Sequence, residues 1–185
     1  MTTEVDFLLA DIFLTLPIIL LYKVAFRMTP WEPTSQENKL LTTYHGRVGG
    51  RLYTEVAAPS GSGQKTFSKG WQNKFIDGVR LKDSLPERKI ITFANHGSEV
   101  RAALDGASVE LIEVKKSLGR NVIGQVLAGI DLLRAEYTPA NIEGVVIVQA
   151  SKSDSALEWF CENRDIRIEL EEVDESVWNY GGEDR

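Results

Sequence analysis

The chain has 185 residues, 43% of them hydrophobic and 26% charged, enough for one core of ordinary size. Its single cysteine, Cys161, excludes an intrachain disulfide, and two histidines beside it leave no zinc-type cluster. A net charge of −6 excludes a uniformly basic binder, but the excess is local: from Asp165 onward eight acidic residues stand against two arginines, and residues 1–164 are neutral.

Residues 7–26 are strongly apolar, interrupted by Asp11 and Pro17. The uncharged run from Ile12 to Tyr22 is 11 residues, short of the roughly 20 that a spanning helix needs. It predicts an N-terminal apolar helix with three destinations: a tilted or interfacial membrane anchor, a docking helix for a partner or a second copy, or a helix packed on the domain. Acidic Glu4 and Asp6 precede it and Lys23 and Arg27 follow it, which is not a secretory signal; the positive end would hold the C-terminal domain on the cytoplasmic side. A proline-punctuated linker, Thr29 to Ser35, closes this part. The predicted division is 1–34 for apolar helix and linker, 35–175 for the folded domain and 176–185 for a tail.

The domain reads as α/β. Ser35 is a good N-cap for a helix to about His45, and Gly49-Gly50 makes the following turn. Arg51–Ala57 is a strand, and Pro59–Lys65 is a Ser/Gly-rich connector. Phe75–Leu81 is an apolar strand interrupted by Asp77. Lys89–Ala94 predicts a short strand, and Ser98–Leu104 a helix. Residues 109–116, Val-Glu-Leu-Ile-Glu-Val-Lys-Lys, read as a buried strand in which Glu113 and Lys115 share one face while Ile112 and Val114 share the other. Asn121–Tyr137 is an amphipathic helix with Val122, Ile123, Val126, Ile130, Leu133 and Tyr137 on one side. Gly144–Gln149 is an apolar strand of parallel-sheet type. A helix from Asp154 to Asn163, carrying a buried and inert Cys161, and a strand from Arg167 to Val173 complete the domain.

Ionised groups on a core strand cost several kcal/mol unless a metal, a phosphate or each other compensates them. Asp77 and Glu113 on apolar strands, with Lys115 beside them, therefore predict a divalent-metal site with an adjacent cation, converging at the edge of a mixed sheet. Lys65, Lys69, Lys74 and Arg80 cluster around the Asp77 strand, and Lys115, Lys116 and Arg120 around the turn after Glu113, forming a basic rim suited to phosphate.

Asp77 followed by Glu113-Val114-Lys115 resembles the metal-binding signature of the PD-(D/E)XK nuclease superfamily. Glu55, in Leu52–Val56, resembles the extra acidic residue often placed on the preceding strand, and Gln125, after Gly124, the helix-borne glutamine many members carry beside the metal. The similarity covers roughly residues 35–170 in the order helix, strand, strand, ExK strand, helix, strand. No proline precedes Asp77, and the 35-residue gap to Glu113 reads as an insertion. The resemblance implies a restriction-endonuclease-like mixed β-sheet flanked by helices, with the N-terminal helix as an addition. It implies a cytoplasmic, Mg²⁺- or Mn²⁺-dependent phosphodiesterase acting on nucleic acid, DNA favoured over RNA, with a homodimer possible because many members dimerise. Asp77, Glu113 and the Val114 carbonyl would hold the metal. Lys115 would orient the nucleophile or stabilise charge on the phosphate, Glu55 would hold a second metal or position water, and Gln125 would bind a site residue or nucleotide. Glu37, in the first helix, is a further acidic candidate, and Lys74, Arg80, Lys116 and Arg120 would contact nucleic acid. The competing class is an inactive copy of this fold that binds nucleic acid or acts as a scaffold, at a membrane if residues 7–26 anchor there.

Overall fold

The computed structural model describes residues 32–58, 74–92, 97–149 and 154–172. The predicted apolar helix at 7–26, the Pro59–Lys65 connector, Lys65, Lys69 and the tail lie outside them. Among the described residues no helix is long and apolar enough to cross a membrane.

Helix α1 (Gln36–Val48) starts where expected, with the Ser35 hydroxyl accepting the Asn38 N–H at 3.0 Å. Such a cap stabilises a helix by about 1 kcal/mol. The helix runs one turn past His45 and stops at Gly49, whose N–H donates to the His45 carbonyl. Gly49 (φ 67°) and Gly50 (φ 90°) turn the chain through left-handed backbone that a side chain would resist, sending it into strand β1 (Gly50–Ala58). Strand β2 (Lys74–Leu81), strand β3 (Arg88–Thr92), helix α2 (Gly97–Leu104), strand β4 (Ser108–Lys115), helix α3 (Arg120–Tyr137), strand β5 (Asn141–Gln149), helix α4 (Ser155–Glu162) and strand β6 (Ile166–Glu171) follow. The sequence pattern places every one of these elements, with ends that differ by a few residues.

The six strands make one mixed sheet in the order β3-β1-β2-β4-β5-β6. β2 is antiparallel to both its neighbours, and the other pairings are parallel. The stretch between β2 and β4, read as an insertion, supplies an edge strand: β3 docks parallel on β1. Parallel neighbours require long crossovers, which α3 and α4 provide for β4–β5–β6.

Alternation along β4 assigns its two faces. Ile112 and Val114 pack with Leu40, Leu41, Tyr44, Leu52, Val145 and Ile147 in a cluster under α1. Val109 and Leu111 belong to the larger cluster on the opposite face, with α2 (Val100, Leu104), α3 (Val122, Val126, Leu133) and α4 (Cys161). Among the described residues the sheet is thus covered by one helix on one side and three on the other. α3 buries the stripe its period predicts and lies close over β5: a Cβ on Gly144 would sit 2.7 Å from Val126, so only glycine permits this approach. Cys161 is fully buried and its thiol is pushed up by burial, matching the inert role expected of it.

Candidate functional site

Asp77 occupies an irregular position in the middle of the sheet. β2 pairs with β1 on both sides of it and with β4 from Gly78 onward, yet Asp77 itself has no partner in either ladder. On the β1 side the break coincides with Glu55, whose φ of 54° is left-handed, a conformation costing a non-glycine residue about 1–2 kcal/mol. On the β4 side the pairing ends at Gly78 with Ile112, and the Val114 N–H donates to the Asp77 carboxylate (Oδ2) at 2.8 Å. A side chain has replaced a ladder carbonyl, and the strands separate there. This divergence of two central strands opens the site, which therefore sits mid-sheet and not at the expected sheet edge.

Glu113 meets Asp77 in this opening. Its side chain is buried, and the Asp77 carboxylate lies close enough to act on its charge. Burial, and then the Asp77 charge, push Glu113 up to about 8, while Lys115 works in the opposite direction. Lys115 Nζ lies 2.9 Å from Glu37 Oε1 and 3.5 Å from Asp77 Oδ2. Burial alone would lower the Lys115 ammonium; Asp77 and Glu37 outweigh it and raise it, so the side chain is a cation and not a base. At the end of β4 it reaches Glu37, in the α1 layer, whereas Glu113 lines a cleft against α3. Three carboxyl groups and one ammonium are held together by three elements, α1, β2 and β4.

Gln125 lies on that same cleft, with Arg120, Asn121 and Gly124 of α3 and with Phe75, Ile76 and Glu113 of the sheet. Glu55 is exposed, level with Asp77 in the strand register. At Val114 the contact the structure shows is made by the N–H, not by the carbonyl. Lys116 and Arg120 are exposed beyond the end of β4. Among the described residues no three or more acidic, histidine or cysteine side chains form a metal cage, so a cation here would rest on Asp77, Glu113 and backbone oxygen.

Arg80 corrects one expectation. It is buried and faces α1, not a phosphate-binding rim, and its guanidinium grips Glu110 in two-point fashion at 2.5 and 2.7 Å. Arg167 (2.6 Å) and the Tyr44 hydroxyl (2.9 Å) complete the donors around Glu110. Burial and the Glu110 charge push Tyr44 up to about 12, so it remains a donor. Arg167 continues to Glu143 and Glu169, Lys82 binds Glu143, and Arg47 binds Glu169 and Glu171. This eight-membered network of four cations and four carboxylates was missed by the pattern reading. Its one signal was a second glutamate on the same buried strand, three residues before Glu113.

No protein-family model matches this chain, and no curated protein does. Among solved structures, a repair endonuclease from Pyrococcus abyssi is similar, at 14% identity and a TM-score of 0.43 over 78% of this chain. The match spans 50% of that protein, so this chain corresponds to half its length.

Proposed function

We propose that this protein is a metal-dependent nuclease of PD-(D/E)XK type that hydrolyses phosphodiester bonds, with DNA favoured over RNA. The observation that carries the reading is the pairing of Asp77 with a buried Glu113 whose charge Lys115 offsets only in part. Such a pair fits a hard divalent cation: two carboxylates that repel each other become favourable together once Mg²⁺ or Mn²⁺ lies between them. When bound, that ion supplies Lewis acidity toward a phosphate oxygen and makes water a better nucleophile. Asp77 and Glu113 would hold it, together with the Val114 carbonyl.

The residues of the chain account for the rest. The Val114 N–H fixes the Asp77 carboxylate. Lys115, kept cationic by Asp77 and Glu37, stabilises the negative charge that grows on the phosphate as water adds, the P–O bond to one sugar breaks and that sugar leaves as a hydroxyl. The products are a phosphate monoester and an alcohol. Glu37 orients the ammonium, and Gln125 lies where an amide can bind the substrate strand.

The test is incubation of the full chain with single- and double-stranded DNA and with RNA, in Mg²⁺ or Mn²⁺. Asp77→Asn and Glu113→Gln should abolish cleavage, and Lys115→Ala should lower its rate more than its substrate affinity. Cleavage at wild-type rates in either carboxylate variant overturns the reading. Metal binding without any cleavage by the wild type would favour a nucleic-acid-binding module.

A further inference from the structure

We infer that the cleft beside Glu113 receives an unpaired nucleobase stacked on Phe75, so that the strand to be cut is presented single-stranded; this rests on the nuclease reading of the Asp77–Glu113 site. Phe75, the second residue of β2 and two before Asp77, is 54% exposed, on a strand whose next apolar residues, Ile76 and Val79, are buried. Trp159 and Leu85 are exposed as well, and single exposed apolar residues are ordinary; what sets Phe75 apart is that it lines the same cleft as Glu113.

The cleft behind it has a volume of about 480 Å³, in the range of small-ligand sites. Its helical wall includes the small residues Gly124 and Ala128, and a Cβ at Gly124 would meet nothing within 4 Å, so α3 leaves room for a flat ring at that point. Ile76 and Leu132 add apolar surface, and Asn121 and Gln125 offer amides that can pair with a base edge. Arg120 adds a cation for the adjoining phosphate. Glu113 lines the same space, so a nucleotide bound here has its backbone beside the candidate metal pair. The bases of an intact duplex are stacked on each other and present no face to Phe75; an unpaired base does. Stacking on an aromatic side chain tolerates any base, so the cleft selects strand state and not sequence.

The probe is a single-stranded DNA oligonucleotide carrying 2-aminopurine, added to the full chain in Ca²⁺ so that binding is read without turnover. Wild type should quench the fluorophore, and bind the single strand more tightly than the matching duplex. Phe75→Ala should lose the quench and about tenfold or more of the single-strand affinity, whereas Phe75→Trp should keep both. Ala128→Leu, which narrows the cleft from the helix side, should weaken single-strand binding without changing the melting temperature by much. Unchanged quenching and affinity in Phe75→Ala, or equal binding of duplex and single strand by the wild type, overturns the inference. The two readings separate cleanly. If Glu113→Gln abolishes cleavage while Phe75→Ala binds and cuts single strands like wild type, only the cleft assignment fails. If the wild type never cleaves but Phe75 governs the quench, the cleft stands as a binding site and the nuclease reading fails.

Discussion

Two buried glutamates, three residues apart on β4, are treated in opposite ways. Glu110 faces α1 and receives two donors from Arg80, one from Arg167 and one from Tyr44. Every charge in its network has a counter-charge. Glu113 faces the other layer and meets Asp77, a like charge, with Lys115 shared between Asp77 and Glu37. The same residue type on the same strand is thus saturated in one place and short of positive charge in the other. The proposed divalent cation would fill that deficit.

The largest effect expected from this contrast comes from breaking the saturated side. Glu110→Gln takes the carboxylate from buried Arg80, while Arg167 keeps Glu143 and Glu169, and should destabilise the fold by about 3–5 kcal/mol. For a chain of this size that lowers the melting temperature by roughly 10 °C, and a calorimetric shift under 2 °C would show that the network is idle.

The deficient side should respond to pH in the opposite sense. The folded-state pKa of Glu113, about 8, lies above its unfolded value near 4.3. Between these values the unfolded chain has released the proton and the native one retains it, so stability falls as pH rises through this window. Below the window Glu113 costs nothing, and above it the full cost persists with no further slope. Denaturant titrations from pH 5 to 8 should show a loss of a few kcal/mol in the wild type. Glu113→Gln should flatten the profile and be the more stable protein at pH 8; a steep slope retained in this variant would assign the titration elsewhere.

A divalent cation should repair the same deficit. Mn²⁺ at about a hundredfold over its dissociation constant should stabilise the wild type by about 2.7 kcal/mol, reversibly with chelator, and should do little for Asp77→Asn. An equal melting shift in both proteins would place the ion somewhere else. The smallest change is Tyr44→Phe, which removes one neutral donor from Glu110 and leaves both arginines. It should cost about 1 kcal/mol and leave metal binding untouched, measured by melting with and without Mn²⁺.

Much of this was legible along the chain. The periods of α3 and β4 declared their faces, and Ser35 and Asp154 marked helix starts with the side-chain caps that the structure shows. A carboxylate in the middle of the apolar run Phe75–Leu81 was conspicuous, as was Glu113 beside Lys115. Glu37 could be named as a candidate from its helix position, but its hold on Lys115 could not. Arg80 was misread because its neighbours in sequence are basic, whereas its neighbours in space are Glu110 and the Gly49 carbonyl. Phe75 passed as an ordinary strand residue, since exposure at the end of a strand has no local signature.

What the sequence determined by itself is which residues form strands and helices and which side of each is apolar, because period 2 and period 3.6 are complete within a window of ten or so residues. The tertiary structure alone decided which charges are compensated. The cations of Glu110 come from positions 30 and 57 residues away in the chain, and the partner of Glu113 lies across a break between β2 and β4 that Asp77 itself props open. The energy of a charge depends on everything within a few ångströms of it, and strand order, not spacing along the chain, brings those groups together.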